Sequence, residues 1–441
     1  MLFKNANWLQ KTQGPAFVLF AASAAFMTYF CMYAFRKPFA ASSYLAFEQE
    51  NWLVSFKVAL VLSQVFGYML AKFIGVKVIS EMHSNQRAKA IILMILGAEL
   101  SLVLFALLPI GLNIICLFFN GLSLGMIWGV IFSYLEGRRT TEILGAILSI
   151  TFILSSGVVK TVGRFITNNL GVSELWMPAL TGLLFLPLLL LSVVCLNAIP
   201  KPDQSDISAR QKRTPMDGKA RFNFFKQYWF GITALVLSFL LFTGFRDFLD
   251  NFQAELWMAL GYGEEPTIFA YAGIRISFIV LIALAMMVLI KNNKTAFLVN
   301  HGFILFGTLL LGASTYGFEV GILDAKAWMV LLGAGLYIAY IPYNCFLFDR
   351  MIAAVGGVAN VGFLIYLADS AGYIGSVSIL LYRTFAEPEL SWLSYFIATS
   401  YWICAVASVL VISSLCYFSI ILSNKYTSKR ALNAKSLAPT H

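Results

Sequence analysis

The sequence predicts an all-α membrane protein with twelve transmembrane helices arranged as two six-helix bundles. Three observations lead to this fold class. The chain of 441 residues is 60% hydrophobic and 12% charged, and its mean hydropathy is +0.80, which is typical of polytopic helical membrane proteins and not of soluble domains. Its apolar residues form twelve long runs. The only long polar stretch, 199–227, divides those runs six and six.

Each apolar run is long enough to span the membrane as a helix, because a helix rises 1.5 Å per residue and about 20 residues cross the hydrocarbon core. The predicted spans of the first half are 15–40, 53–76, 89–109, 111–134, 143–166 and 176–198. Those of the second half are 228–250, 267–290, 295–318, 327–348, 355–383 and 392–422.

The division gives four segments. They are an N-terminal bundle (1–198), a cytoplasmic linker (199–227), a C-terminal bundle (228–422) and a cytoplasmic tail (423–441). Lysine and arginine crowd into the loops on the linker side, whereas the opposite loops hold only Lys326 and Arg383 among many glutamates. The positive-inside rule therefore predicts a multi-pass protein of the cell (inner or plasma) membrane with both termini in the cytoplasm.

Several function classes lack support. The net charge of +10 lies in short loops and not along a binding stripe, so we expect the lipid bilayer and no nucleic acid as a partner. The apolar segments contain all six cysteines, which are expected to be buried free thiols: Cys31, Cys116, Cys195, Cys345, Cys404 and Cys416. No Walker loop, metal-spaced cluster or nucleophile triad is found, so we expect no enzyme, no cofactor and no metal.

Two arginines lie deep in apolar runs at matching places in the two halves. Arg36 comes late in the first span of the first half, and Arg246 comes 210 positions later, in the first span of the second half. An arginine at membrane depth costs about 2.5–3.5 kcal/mol on insertion scales, so each should face a cavity, a counter-charge or an anionic ligand. Since a guanidinium binds phosphate or carboxylate oxygens through two parallel hydrogen bonds, the pair predicts a two-armed anion clamp.

Other charged residues within the spans are candidates for substrate binding or coupling. Lys72 and Lys160 would add positive charge to the clamp. Lys160 follows Arg36 by 124 residues and Asp369 follows Arg246 by 123, which predicts that these two side chains pair across the pseudo-two-fold axis or form a structural ion pair. Arg275 lies in mid-span and is another possible partner of Asp369. Glu99, also in mid-span, is expected to be a helix contact or a protonated residue.

Three further cations are discounted, because long side chains near the end of a helix reach the interface. Lys57 and Arg164 lie near the external ends of their spans, and Lys37 points away from its neighbour Arg36. Most membrane tyrosines pack against other helices, but Tyr33 and Tyr373 are retained as residues that hydrogen-bond the substrate.

Four short motifs carry a family resemblance. They are Tyr33-x-x-Arg36-Lys37-x-Phe39 in the first span, Ala71-Lys72-Phe73-Ile74-Gly75 in the second, Asn120-Gly121-x-x-x-Gly125-Met126-x-Trp128 in the fourth and Gly372-Tyr373-Ile374-Gly375 in the eleventh. They are similar to motifs of the organophosphate:phosphate antiporters of the major facilitator superfamily, which include glycerol-3-phosphate and hexose-phosphate transporters. Two six-helix halves of parallel topology are also the architecture of that superfamily.

The resemblance implies that Arg36 and Arg246 bind phosphate and that Lys72 lies in the cavity. The sequence departs from the family in several places, of which three are substitutions within the predicted spans. Ser155 stands near the position of the family's cavity histidine, Ala270 replaces its glutamate in the eighth span, and Asp369 replaces a small residue.

The expected function is therefore secondary transport of a small anionic metabolite, phosphorylated by the resemblance, in exchange for inorganic phosphate. The expected carrier acts as a monomer by alternating access. Proton-coupled anion symport is the second hypothesis, for which Asp369 and Glu99 are the candidate carboxylates. A non-transporting anion sensor and a membrane scaffold are hypotheses of a different class. A sensor would favour a larger soluble domain than a linker of about 29 residues, and a scaffold would not need buried arginines.

Overall fold

The computed structural model describes residues 14–49, 52–135, 138, 140–200, 218–356 and 361–436. Most of the expected linker, and the last residues of the expected tail, lie outside these ranges. Within them, twelve helices are long and apolar enough to cross a membrane, which confirms the predicted number of spans. We label them α1 to α12.

The first half contains α1 (Pro15–Phe35), α2 (Phe56–Gly75), α3 (Arg87–Leu107), α4 (Ile114–Leu135), α5 (Ile143–Leu170) and α6 (Met177–Asn197). The second half contains α7 (Lys219–Asn251), α8 (Ile268–Val288), α9 (Asn293–Glu319), α10 (Ala325–Cys345), α11 (Phe363–Phe385) and α12 (Trp392–Asn424). Helical backbone continues past α2 to Glu81 and past α12 to Ser436, and it begins at Gly218 ahead of α7.

The two ends of the molecule are named here by their connections. The linker end is where α6 ends and α7 begins, and the far end carries the segments between α1 and α2 and between α7 and α8. A short helix, Gln253–Ala259, follows α7 at the far end. The sequence predicts that the linker end is cytoplasmic and the far end external.

The first helix is shorter than the predicted span 15–40. Its α-helical part ends at Met32, a 3₁₀ turn covers Tyr33–Phe35, and a second 3₁₀ turn covers Pro38–Ala41. Pro38 accounts for part of this, because proline has no backbone N–H to donate to the Ala34 carbonyl, and its ring would clash with that carbonyl in a continuous helix. Arg36 therefore lies on a turn between two 3₁₀ segments and not on a continuous helix.

Glycines allow α5 of the first half and α8 of the second half to touch backbone to backbone. A Cβ atom added at Gly157 would lie 2.5 Å from the carbonyl oxygen of Phe269, and one added at Gly273 would lie 3.2 Å from that of Ile153. The backbone N–H of Ala270 also donates to the Thr161 hydroxyl at 3.0 Å across the same interface. Small residues permit such close helix contacts in membranes.

The cysteines are all free thiols, as predicted. Cys31 and Cys116 are buried, but Cys416 is exposed on the surface, so the expectation that all six are buried is wrong.

Candidate functional site

A polar cavity lies between the two halves, with an empty volume of about 910 Å³ that includes space open to solvent. Helices α1, α2, α4 and α5 line it from one half, and α7, α10 and α11 line it from the other. Its charged lining residues are Arg36, Lys37, Lys72, Arg246, Asp247 and Asp369. A cavity of this size bounded by both halves is the default location for a small-molecule site.

Two amides hold the turn that carries Arg36. The helix break leaves backbone carbonyls without helical partners, and Asn120 donates to the Phe35 carbonyl at 2.9 Å. Gln64 donates to the Arg36 carbonyl at 3.0 Å and to the Asn120 side chain at 2.9 Å. Gly121 brings these helices together, since a Cβ atom there would lie 2.2 Å from the Gln64 carbonyl. The Asn-Gly pair of the fourth span thus positions Arg36 and need not touch a ligand.

The Arg36 guanidinium has no anionic partner among the described residues. It lies over the Tyr68 ring, with its carbon 4.1 Å from the ring centroid, and 5.7 Å from the centroid of Tyr33. Its Nε atom is buried without a hydrogen bond to any described group. Buried donors are nearly always satisfied, so an unsatisfied arginine in a cavity indicates a place for a ligand oxygen.

Arg246 reaches the same cavity but is neutralised within its own half. Its Nε and Nη2 atoms donate to Asp247 Oδ1 at 3.2 and 2.5 Å, and its Nη1 atom donates to the Tyr340 hydroxyl. The other oxygen of Asp247 accepts from the Ser376 hydroxyl at 2.6 Å. The two arginines therefore do not form the symmetric clamp that their spacing predicts.

Lys160 and Asp369 do not pair, so that prediction is wrong. Lys160 is fully buried and binds Asp250 at 2.7 Å, together with Gln253 at 3.2 Å. Asp369 is 3.6 Å from Lys72, on the linker side of the cavity. Lys160 lies nineteen residues after the start of its helix at Thr141, whereas Asp369 lies eight residues after the start at Val361. At 1.5 Å per residue this difference separates the depths of the two side chains by about 16 Å.

Further ion pairs join the halves at the far end. Lys37 binds Asp250 at 2.6 Å and Asn251 at 2.8 Å, so it makes a helix contact as expected. Lys57 binds Glu255 at 2.6 Å and is almost completely buried, so its interpretation as an interfacial side chain is wrong.

Arg164 likewise bridges the halves and does not extend to the interface. Its guanidinium donates to the Ala41 carbonyl at 3.2 Å and to the Gly263 carbonyl at 2.9 Å.

Two predicted residues lie away from the cavity. Arg275 is exposed on α8, where its guanidinium lies 3.5 Å from the centroid of Tyr271 and donates to that residue's carbonyl. It is therefore not placed to pair with Asp369. Glu99 is 6% exposed, and both of its carboxyl oxygens lack a hydrogen bond to any described group. The described chain contains no group of three metal-ligating side chains that could hold an ion.

Tyr33 and Tyr373 line the cavity as the sequence suggested. Trp128 and Asn344, to which the sequence alone assigns no role, also line it. The indole Nε1 of Trp128 and the amide Nδ2 of Asn344 are buried without a described acceptor. Together with Arg36 Nε, they give the cavity three unsatisfied donors, which favours a ligand rich in oxygen acceptors.

Comparisons with known proteins identify a family and a fold. The model of a family of unknown function, DUF5690, matches residues 38–420. No curated protein matches the chain.

Solved structures of transporters resemble it at low identity. A D-xylose–proton symporter aligns at 15% identity with a TM-score of 0.60, covering 91% of this chain and 96% of that one. A POT family transporter solved with 5-aminolevulinic acid aligns at 13% with a TM-score of 0.56 and the same coverage. The transporter FucP, in the outward conformation, aligns at 13% with a TM-score of 0.53, covering 90% of this chain and 98% of that one. The fold is that of the major facilitator superfamily.

Proposed function

The chain belongs to the DUF5690 family, and we propose that it is a secondary transporter that moves a small organic anion by alternating access. The observation that carries the proposal is Arg36, a cavity arginine without a carboxylate partner among the described residues. A buried charge without a counter-ion is strongly unfavourable. An anionic substrate would supply the missing charge and accept the free hydrogen bonds of the cavity.

The ion pairs between the halves support alternating access. Lys37 and Lys160 share Asp250, and Lys57 binds Glu255, so the far end is held shut by contacts that must break if it opens. The Arg246–Asp247 pair, in contrast, lies within one half and can move as a unit. Rocking of one bundle against the other around a central site is the usual motion of this fold.

Exchange of one anion for another follows from the charge of the cavity. An empty carrier must reorient with Arg36 uncompensated, whereas a loaded carrier reorients with that charge neutralised. We therefore propose antiport. The family resemblance suggests that the two exchanged anions are a phosphorylated metabolite and inorganic phosphate. The unpaired Arg36 supports an anionic substrate in general and does not by itself select phosphate.

The remaining properties are proposals of the same kind. The charge asymmetry of the loops supports a cell (inner or plasma) membrane protein whose linker end and both termini lie in the cytoplasm. The complete cavity is built from one chain, which supports a functional monomer.

Proton-coupled symport is the second candidate, and Glu99 is the observation that favours it. Its unpaired carboxyl lies next to the turn of Arg36, because a Cβ atom added at Gly182 would contact both Glu99 and Phe35. A carboxyl inside a membrane span is a candidate carrier of a coupled proton. Neutralising Glu99 should remove proton-driven uptake if this candidate is correct.

The test is flux into proteoliposomes. Arg36→Lys keeps the charge but loses the planar fork, so uptake of the transported anion should fall by about tenfold or more. Arg275→Lys is the matched control, since Arg275 lies outside the cavity. Uptake is measured for a panel of labelled carboxylates and organic phosphates, into proteoliposomes with and without anion inside. The panel identifies the substrate, and the effect of the internal anion distinguishes antiport from symport.

The outcomes separate the candidates. Uptake that requires internal anion supports antiport. Uptake into anion-free vesicles under an inward proton gradient, lost in Glu99→Gln, supports symport. Binding without flux of any probe supports a sensor. Equal uptake by wild type and Arg36→Lys would contradict the proposed anion site.

A further inference from the structure

Arg246, the second arginine of the cavity, already binds a carboxylate of the protein itself, that of Asp247. Asp247 follows Arg246 directly in the chain and accepts two hydrogen bonds from its guanidinium, at Nε and Nη2. Both bonds end on one carboxylate oxygen, Oδ1, and they use the Nε–Nη2 edge through which an arginine also binds the carboxylate or phosphate of a ligand. Asp247 therefore occupies the side of Arg246 that a substrate anion would need.

The position of Asp247 is fixed by a second helix of the same half. Its Oδ2 atom accepts from Ser376 on α11, while Oδ1 faces Arg246 on α7. Gly244 on α7 and Gly375 on α11 allow these two helices to pack closely, since a Cβ atom added at Gly244 would lie 2.7 Å from the Gly375 carbonyl. The Arg246–Asp247–Ser376 group is thus built within one half and does not depend on contact between the halves.

The other charged pairs of the cavity are different in this respect. Lys37–Asp250 and Lys72–Asp369 each join one half to the other. Alternating access would break them in turn, whereas nothing in that motion separates Asp247 from Arg246. The neutralised state of Arg246 should therefore persist in every conformation of the cycle.

The balance of charges in the cavity limits the substrate. The cavity has four cationic lining residues, and among the described residues Lys37, Lys72 and Arg246 each bind a carboxylate. Lys160 shares Asp250 with Lys37, but the amine is fully buried away from the cavity and binds Asp250 and Gln253. Within the described part of the chain, Arg36 is the one lining cation that no carboxylate contacts, while Lys37 divides the single charge of Asp250 with Lys160.

We infer that Asp247 is a specificity-determining residue that restricts this site to anions with a single negative charge, such as a small hydroxy-carboxylate. The inference deepens the proposed function and rests on it. A phosphate monoester carries close to two negative charges at neutral pH. Its second charge would face Asp247 across the cavity with no free cation to offset it, so like-charge repulsion rejects it.

The experiment compares matched pairs of anions that differ mainly in charge. Purified full-length protein is titrated by calorimetry at pH 7.5 with glycerate and glycerol 3-phosphate, and with gluconate and glucose 6-phosphate. In whichever of the two pairs binds more tightly to wild type, the carboxylate should bind about tenfold or more tightly than the phosphate. A unit charge at several ångströms in a protein interior is sufficient for that ratio.

Asp247→Asn keeps the shape of the side chain and removes its charge. Affinity should rise for both anions and more for the dianion, so that the carboxylate-to-phosphate ratio falls by about tenfold or more. Asp247→Glu keeps the charge and should retain the wild-type ratio. Arg246→Gln in the Asp247→Asn background removes the released cation and should return the ratio towards that of wild type.

The ratio of affinities is the decisive readout, because general damage to the fold would weaken both ligands alike. If wild type binds the phosphates as tightly as the carboxylates, or Asp247→Asn leaves the ratio unchanged, the inference fails while the anion site remains. If no probe binds to wild type or to Asp247→Asn, the proposed function itself fails.

Discussion

At the far end of the cavity the halves are joined by lysines that are 0–3% exposed, with N–O distances of 2.6–2.7 Å. On the linker side they are joined by Lys72 and Asp369, whose side chains are 28% and 30% exposed and 3.6 Å apart. Buried pairs are costly to break because each charge left behind lacks both partner and water, whereas exposed pairs contribute little. Among the described ion pairs that line or flank the cavity, those at the far end therefore hold the halves together more strongly than the pair on the linker side.

This difference indicates which gate controls the conformational equilibrium. Opening the far end must separate two lysines from Asp250 and one from Glu255, whereas Lys72–Asp369, the ion pair described at the linker side of the cavity, is partly solvated. Variants of these carboxylates can be ranked by how strongly they shift the equilibrium towards a far-end-open state. Ser42→Cys is a suitable reporter, since Ser42 is fully buried at the far end and its hydroxyl has no described hydrogen-bond partner to lose.

The largest effect is expected for Asp250→Asn, which leaves two buried lysines without their carboxylate. Removing one member of a buried ion pair typically costs about 3–5 kcal/mol, so the far end should open in a large fraction of molecules. A hydrophilic maleimide should label Ser42→Cys at least tenfold faster in this variant, in a background with the native cysteines replaced.

Two controls sharpen this measurement. Asp250→Glu should restore slow labelling, and a reporter at Ile365→Cys, which lines the cavity, should become less reactive as the linker side closes. Unchanged labelling at both positions would show that Asp250 does not hold the far end shut.

A smaller effect is expected for the second far-end pair. Glu255→Gln and Lys57→Met each break one contact beside a recess that both residues line, so water can partly solvate the remaining charge. Each single variant should speed labelling of Ser42→Cys about threefold to tenfold, and the double variant should speed it by less than the product of the two. A double variant that equals the product would mean that the pair is not coupled.

The smallest effect is expected on the linker side. Lys72→Gln and Asp369→Asn remove a long and partly solvated pair, for which a contribution of about 0–1 kcal/mol is usual. Far-end labelling should change by less than about threefold in either variant. A change as large as that of Asp250→Asn would remove the contrast between the two ends.

The fold was predictable because it depends on the length and composition of apolar runs. All twelve spans were found from these features, with errors at their ends of up to nine residues, the largest at the starts of α7 and α11. The error at the end of α1 has a local cause, since Pro38 interrupts the helix where hydrophobicity continues.

The charged residues of the site were predictable from their depth, but their partners were not. Arg36 and Arg246 were selected as an equivalent pair, because sequence spacing reports position along the chain and not which acceptor each guanidinium meets. Asp247 directly follows Arg246 in the sequence, but adjacent residues on a helix point about 100° apart, so the sequence does not suggest that they pair. They pair because the long arginine side chain bends towards the carboxylate. Lys160 was assigned to Asp369 for a similar reason, although the two residues lie at different distances from the starts of their helices.

The glycine contact between α5 and α8 has a consequence for speed. Side chains at most helix interfaces are closely packed and interdigitated. Moving such helices past each other requires many rotamers to change together. Where Gly157 and Gly273 meet, the two halves present bare backbone, so few side chains must be reset as one bundle tilts over the other. We therefore expect the α5–α8 contact to oppose the tilt only weakly. The rate of turnover should then depend mainly on breaking the ion pairs at the far end.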